Sequence, residues 1–182
     1  MCSLEKRPRI LYNPTRLPVI EDEMAYIKNK SSENAKRIKS INSNLVFDVW
    51  IDKHYQIRRQ FGDEAGARDG IDIDKVEALI LKSIKHLVAY GSILKTFTFV
   101  NHNLTGGRAN RIVLQEETEN GKLNVVIEGH FIDVDTCEIT VITAMRADDF
   151  KLGDGQFSVE IFGNESVLKR MEKGSVKEIY NL

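Results

Sequence analysis

The stretch DKHYQIRR, Asp52 to Arg59, sets His54 four residues before Arg58 and five before Arg59. On a helix, side chains four apart share a face. His54 and Arg58 would then stand together, two groups able to carry positive charge, and an anion facing them would relieve the repulsion. Phosphate is the anion that suits a histidine beside an arginine. His54 would also lie in the first turn, where the helix dipole disfavours a cation. A neutral imidazole fits there and can accept a proton. A solvated helix face accounts for Arg59 well and could account for Arg58; for His54 the two readings balance.

Three further histidines, His86, His102 and His130, complete the set. None stands at a metal-binding spacing and no carboxylate cluster accompanies them, so neither a metal nor another cofactor is expected. The chain has no Walker-type phosphate loop and no GxSxG elbow. Cys137, between Thr136 and Glu138, has no neighbour that would lower its pKa and reads as structural. Lys75, Lys82 and His86 fall in one helical column at about 100° per residue. Rim lysines beside a half-buried histidine are the ordinary explanation; a basic edge facing a groove is the functional one. In LTGGRANR, Gly106 and Gly107 mark a turn, or a backbone cradle for phosphate beside Arg108 and Arg111. In VVIEGHFIDV, alternation sets Glu128 and His130 on one face and Val125, Ile127 and Phe131 on the other. In EITVITAMR, Ile142, Ala144 and Arg146 share a face, with Arg146 at the strand's end. Polar positions on central strands mean either a solvated sheet face or a sheet-floored site. The expected site gathers His54, His86 and Arg146 around one phosphate. Arg58, Arg108, Arg111, Lys82 and His130 are the expected substrate-binding groups around them.

The chain that must position these groups has 182 residues, enough for one domain with an appendage and a real core. With 26 basic and 27 acidic side chains the net charge is −1, so nucleic acid could be held only by a local patch. Two distant cysteines suggest a reducing compartment. No apolar run approaches the roughly 20 residues that span a bilayer, and MCSLEKRPRI lacks the apolar core of a secretory signal. A cytoplasmic protein without membrane attachment is expected. Residues 1–44 contain all three prolines and then a sparsely apolar stretch read as a helical arm, Leu4 to Asn42, that could wrap a protein partner. From Leu45 the alternation of Leu45, Phe47, Val49 and Ile51 signals a strand. A short helix follows, then a long one in which Val76, Leu79, Ile80, Ser83, Ile84, Leu87 and Val88 share a face, with Asp74 as cap and Gly91 as stop. Four β-rich runs and a shorter one come next. NESVLKRMEKG reads as a terminal helix capped by Asn164 and ended by Gly174. The expected fold is α+β: an antiparallel sheet of about four or five strands packed by helices over 45–182, with the N-terminal helical arm over 1–44.

HYQIRRQF followed by ARDGIDIDKVEALILKSIKH resembles the helix pair of RelE-like ribonucleases, within the Barnase-EndoU-Colicin-RelE superfamily, nearest to the phage RegB-type endoribonucleases. NRIVLQEETENGKLNVVIEGHFIDV resembles that family's hairpin, and EITVITAMRADDF its next strand. The resemblance implies a small antiparallel sheet with helices on one face. It also implies metal-independent endoribonuclease activity on messenger RNA, ribosome-bound or free, in a toxin or a phage host-takeover factor with a possible antitoxin partner. Carried over by position, His54 matches the family's helix histidine, His86 the later helix histidine and Arg146 the basic residue at the strand's end. FGDEAGAR lengthens the first interhelical connection, and His130 has no counterpart. The alternative expectation is a noncatalytic module that binds RNA or a protein on the same scaffold.

Overall fold

Period-two alternation governs most of the chain. A computed structural model describes residues 25–42, 45–53, 55–57, 71–101 and 109–182. Within them strands β1 (Ala35–Asn42), β2 (Val46–Asp52), β3 (Val100–Asn101), β4 (Arg111–Thr118), β5 (Gly121–Phe131), β6 (Thr136–Arg146), β7 (Phe157–Phe162), β8 (Glu165–Glu172) and β9 (Ser175–Asn181) build one sheet. A helix, α1 (Ile73–Ile93), lies on one of its faces. The strand order is β1-β2-β6-β5-β4-β7-β8-β9, and β3 pairs β5. Three pairs are parallel, β2 with β6, β4 with β7 and β3 with β5; the others are antiparallel.

Phe47, Val49 and Ile51 of β2, Ile139 and Val141 of β6, Val125 and Ile127 of β5, and Ile112 and Leu114 of β4 form the core with α1. Val76, Leu79, Ile80, Ser83, His86, Leu87 and Tyr90 are the buried face of α1, with Ile84 and Val88 at its margin. The helix starts slightly earlier than expected, with Asp72 as N-cap, and runs past Gly91 to Ile93. Cys137 is fully buried in this core.

The expected α+β fold of four or five antiparallel strands with a helical arm is not the fold found. The sheet is mixed and nine-stranded, and two stretches read as helices are strands. Ala35–Asn42 pairs antiparallel with β2 through a bulge between Arg37 and Lys39. That extra residue lets Ile38 and Ile41, three apart, both pack on the core, which imitates a helical period in the sequence. At the other end, Gly163-Asn164 and Lys173-Gly174 are two-residue hairpin turns, since Phe162 pairs with Glu165 and Glu172 with Ser175. Lys173 and Gly174 both have positive φ, 51° and 81°, as a right-twisted hairpin requires. The rest of the expected arm, residues 1–24 and 43–44, lies outside the described residues. Among the described residues no helix is long and apolar enough to cross a membrane.

A candidate acid–base site on the polar face of the sheet

The alternation that sends apolar side chains to α1 sends polar ones to the opposite face. Strand register lines them up in two rows. In the first, Asp48 of β2 pairs with Glu138 of β6, and Glu138 with His130 of β5. In the second, Arg37 of β1 pairs with Trp50, Trp50 with Thr140, Thr140 with Glu128 and Glu128 with Arg111. Directly paired residues point to the same face, so five strands contribute to one polar floor.

Glu128 is the hub. One carboxylate oxygen lies 2.9 Å from His130 Nε2. The other accepts from Arg111 Nε at 3.1 Å. Glu128 is 4% exposed while the Arg111 side chain is 49% exposed, so Arg111 is the cation of this group that meets solvent. Glu138 is also buried, and its Oε1 accepts from the Lys30 backbone N–H at 2.8 Å. Burial pushes its carboxyl above the ordinary range and the Asp48 charge adds to this, while the Lys30 N–H and His130 pull the other way. Asn29 Nδ2 donates to Thr140 Oγ1 at 2.7 Å, so the segment before β1 crosses this face and is tied to β6. Arg37 donates to Asp48 Oδ2 at 3.5 Å, and its guanidinium lies 5.9 Å from the centre of the Trp50 ring.

Two backbone details hold the floor in place. Gly129 separates Glu128 from His130, and a Cβ there would sit 2.6 Å from the Phe99 carbonyl oxygen; only glycine lets β3 approach. Asn101 donates from Nδ2 to the carbonyls of Asn110 and Gly129 and accepts from the Asn110 N–H at 2.6 Å. It thereby fixes the start of β4, and with it Arg111. Further along the face, Gln115 donates to Asn124 and Glu160 pairs with Lys122 and Lys169. Burial alone would raise Glu160, but the hydrogen bonds and charges of the two lysines outweigh it and hold its carboxyl low. These groups are mutually satisfied and read as a structural polar layer.

The expected site residues that are described do not all come together. His54, Arg58 and Arg108 lie outside the described residues. His86 lies on the buried face of α1, its Nδ1 2.9 Å from Ser166 Oγ, and Tyr90 Oη lies 2.7 Å from the same hydroxyl. Burial, then the Lys85 charge, holds the His86 pKa below its ordinary value. His86 faces β8 whereas Arg146 ends β6, with β5, β4 and β7 between them in the sheet. Four strand steps are about 19 Å, so these two groups do not share a phosphate. Arg146 lies opposite Leu123, on the helix side, and its Nε is buried without a partner among the described residues. Lys82 is occupied by Glu116 at 2.6 Å. Of the expected groups among the described residues, only Arg111 and His130 come together, across Glu128. Asp48, Trp50, Glu138 and Arg37 were not anticipated. Asp48 and Glu138 each break an apolar strand at period two, in VFDVWI and TCEIT, but only the sheet order places them side by side. No group of three or more His, Cys, Asp or Glu among the described residues is arranged to hold a metal. No family model, curated protein or solved structure matches this chain.

Proposed function

We propose that the protein is a metal-independent endoribonuclease and that the polar sheet face is its site. The observation that carries this reading is one arrangement. A histidine bonded through one nitrogen to a carboxylate faces a second carboxylate of raised pKa on the next strand, with a half-exposed arginine beside them. Cleavage by the ribose 2′-OH needs a base, an acid and a cation. Glu128 at Nε2 favours the tautomer with its proton there. Nδ1 of His130, buried and without a partner among the described residues, is then the nitrogen that would take the 2′-OH proton once a ribose is seated against it. The 2′-oxygen then bonds to phosphorus while the bond to the 5′-oxygen breaks. Protonated Glu138 gives its proton to that leaving oxygen, and Arg111 faces the charge gathering on the phosphate. The products are a 2′,3′-cyclic phosphate and a 5′-hydroxyl. The resemblance to RelE-like ribonucleases supports an RNA substrate, although the small antiparallel sheet it implies is not this fold. A messenger RNA substrate would put the activity in the cytoplasm.

The test is incubation of purified protein with total RNA, free or ribosome-bound, in EDTA, followed by mapping of fragment ends. Wild type is expected to leave cyclic phosphates, and His130→Ala or Glu138→Gln to slow cleavage by about 10²–10⁴-fold. An absence of cleavage overturns the reading. A noncatalytic binding module is the second reading, favoured by a groove of about 680 Å³ on the helix side. It is lined by Ile41, Leu45, Phe47, Leu81, Ile84 and Val88, with Lys82 and Lys85 at its rim. Retention of RNA or of a protein partner such as an antitoxin, without cleavage, favours that module.

A further inference from the structure

We propose that Trp50, Asp48 and Arg37 form a subsite for an unpaired nucleobase, which stacks on the indole in place of the Arg37 guanidinium. The inference deepens the nuclease reading and rests on it for the identity of the ligand. Three observations support it. The Arg37 side chain is 57% exposed and stands 5.9 Å from the centre of an indole that is 8% exposed, so the cation that faces the Trp50 ring is itself a surface group. Its link to Asp48, at 3.5 Å, is at the long limit of a charged hydrogen bond. Beneath it, Asp48 Oδ1 and Trp50 Nε1 are buried without partners among the described residues. An acceptor and a donor, two residues apart on one strand face, are therefore unspent. Buried polar atoms in that condition point to a ligand or ordered water.

The chemistry selects the ligand. An arginine resting on an aromatic ring marks a surface that also takes a flat π-system, and bases stack there without regard to sequence. A base inside a duplex has no free face, so the substrate is single-stranded. A carboxylate accepts from exocyclic amino groups, so Asp48 favours cytosine, adenine or guanine over uracil, which has none. Asp48 is one strand step, about 4.8 Å, from Glu138. A base held at Asp48 thus places its own sugar and phosphate beside Glu138 and His130. Arg37, displaced from the ring, can turn to that phosphate.

Trp50 is the only tryptophan in the chain, so its fluorescence reports this subsite alone. Short single-stranded oligodeoxynucleotides, which lack the 2′-OH and cannot be cut by the proposed chemistry, are the probe. Oligodeoxycytidylate is expected to quench saturably and to bind several-fold more tightly than oligothymidylate, with no quenching by a duplex of the same length. Asp48→Asn is expected to erase the difference between the two strands. Trp50→Phe, checked for folding by circular dichroism, is expected to retain binding when followed by the polarisation of a labelled strand. Cleavage of RNA without quenching by any single strand overturns the subsite and leaves the nuclease reading in place. Saturable quenching without RNA cleavage supports the subsite and removes the catalytic reading. Equal quenching by duplex and single strand overturns the stacking geometry, and no response to either probe removes both proposals.

Discussion

Gly129 sits between the two side chains that meet on the polar face, and what it lacks is what matters. A methyl group there meets the Phe99 carbonyl oxygen, a backbone atom, at 2.6 Å. Gly129→Ala is therefore expected to push β3 off β5, costing about 1–3 kcal/mol as other overpacked positions do, and to loosen the Asn101 bridge to Arg111. Urea denaturation checks the first effect. Gly91 provides the contrast, because a Cβ there meets the Phe99 ring at an ordinary 3.7 Å and the residue lies within α1. Gly91→Ala is expected to stabilise by about 0.5–1 kcal/mol. At this scale the sequence is informative about type and silent about company. Glu128 and His130 are visible as the polar side of a strand. Their partners Arg111, Glu138 and Asp48 come from other strands, and no spacing along the chain predicts those neighbours. His86 shows the opposite failure. It stands in column with two lysines, yet it turns inward to Ser166, 80 residues later.

Elements with a long, unbroken period were legible and short ones with an irregularity were not. The α1 stripe gives its buried face almost residue for residue, and Leu79, with no exposed surface, is central to it. Leu79→Ala is expected to cost about 2–5 kcal/mol in the same denaturation measurement; an unchanged midpoint removes the helix from the core. In β1 one bulged residue converts a spacing of two into three, which hides the strand in the sequence. β8 resembles a helix in sequence because ESVLKRME carries good helix formers, while the deciding signals are the two-residue turns at either end of it. Propensity yields there to the pairing available on the open edge of β7. Lys173 bears the cost, holding φ at 51° where a side chain is disfavoured. Lys173→Gly is expected to raise stability by up to about 1 kcal/mol, because only backbone conformation changes and the Lys173 N–H bond to Asp154 is kept.

Across the whole molecule the buried ionisable groups pull stability in opposite directions with pH, and this separates the polar layer that holds the sheet from the groups proposed to act. His86 is kept below 6.5, so as pH falls past that value the unfolded chain gains a proton that the folded one resists, and stability declines. Glu160, kept below 4.5 despite its burial, stabilises above that value and is lost as pH falls through its folded pKa. Glu138 has the reverse sign. Its folded pKa lies above 4.5, so its stabilising contribution is complete below 4.5 and is lost as pH rises through the folded value. Above 4.5 the fold therefore holds Glu138 next to Asp48 at a cost. Glu138→Gln removes the titrating group and keeps an oxygen for the Lys30 N–H. It is expected to raise the thermal midpoint at pH 7, with the gain shrinking toward pH 4, where wild-type Glu138 is itself protonated. Groups retained against stability are the mark of a working site. A Glu138→Gln variant that is more stable and cleaves RNA far more slowly ties the cost to the chemistry. One that is more stable and equally active moves catalysis off this face, and one that is less stable at pH 7 contradicts the burial argument for Glu138.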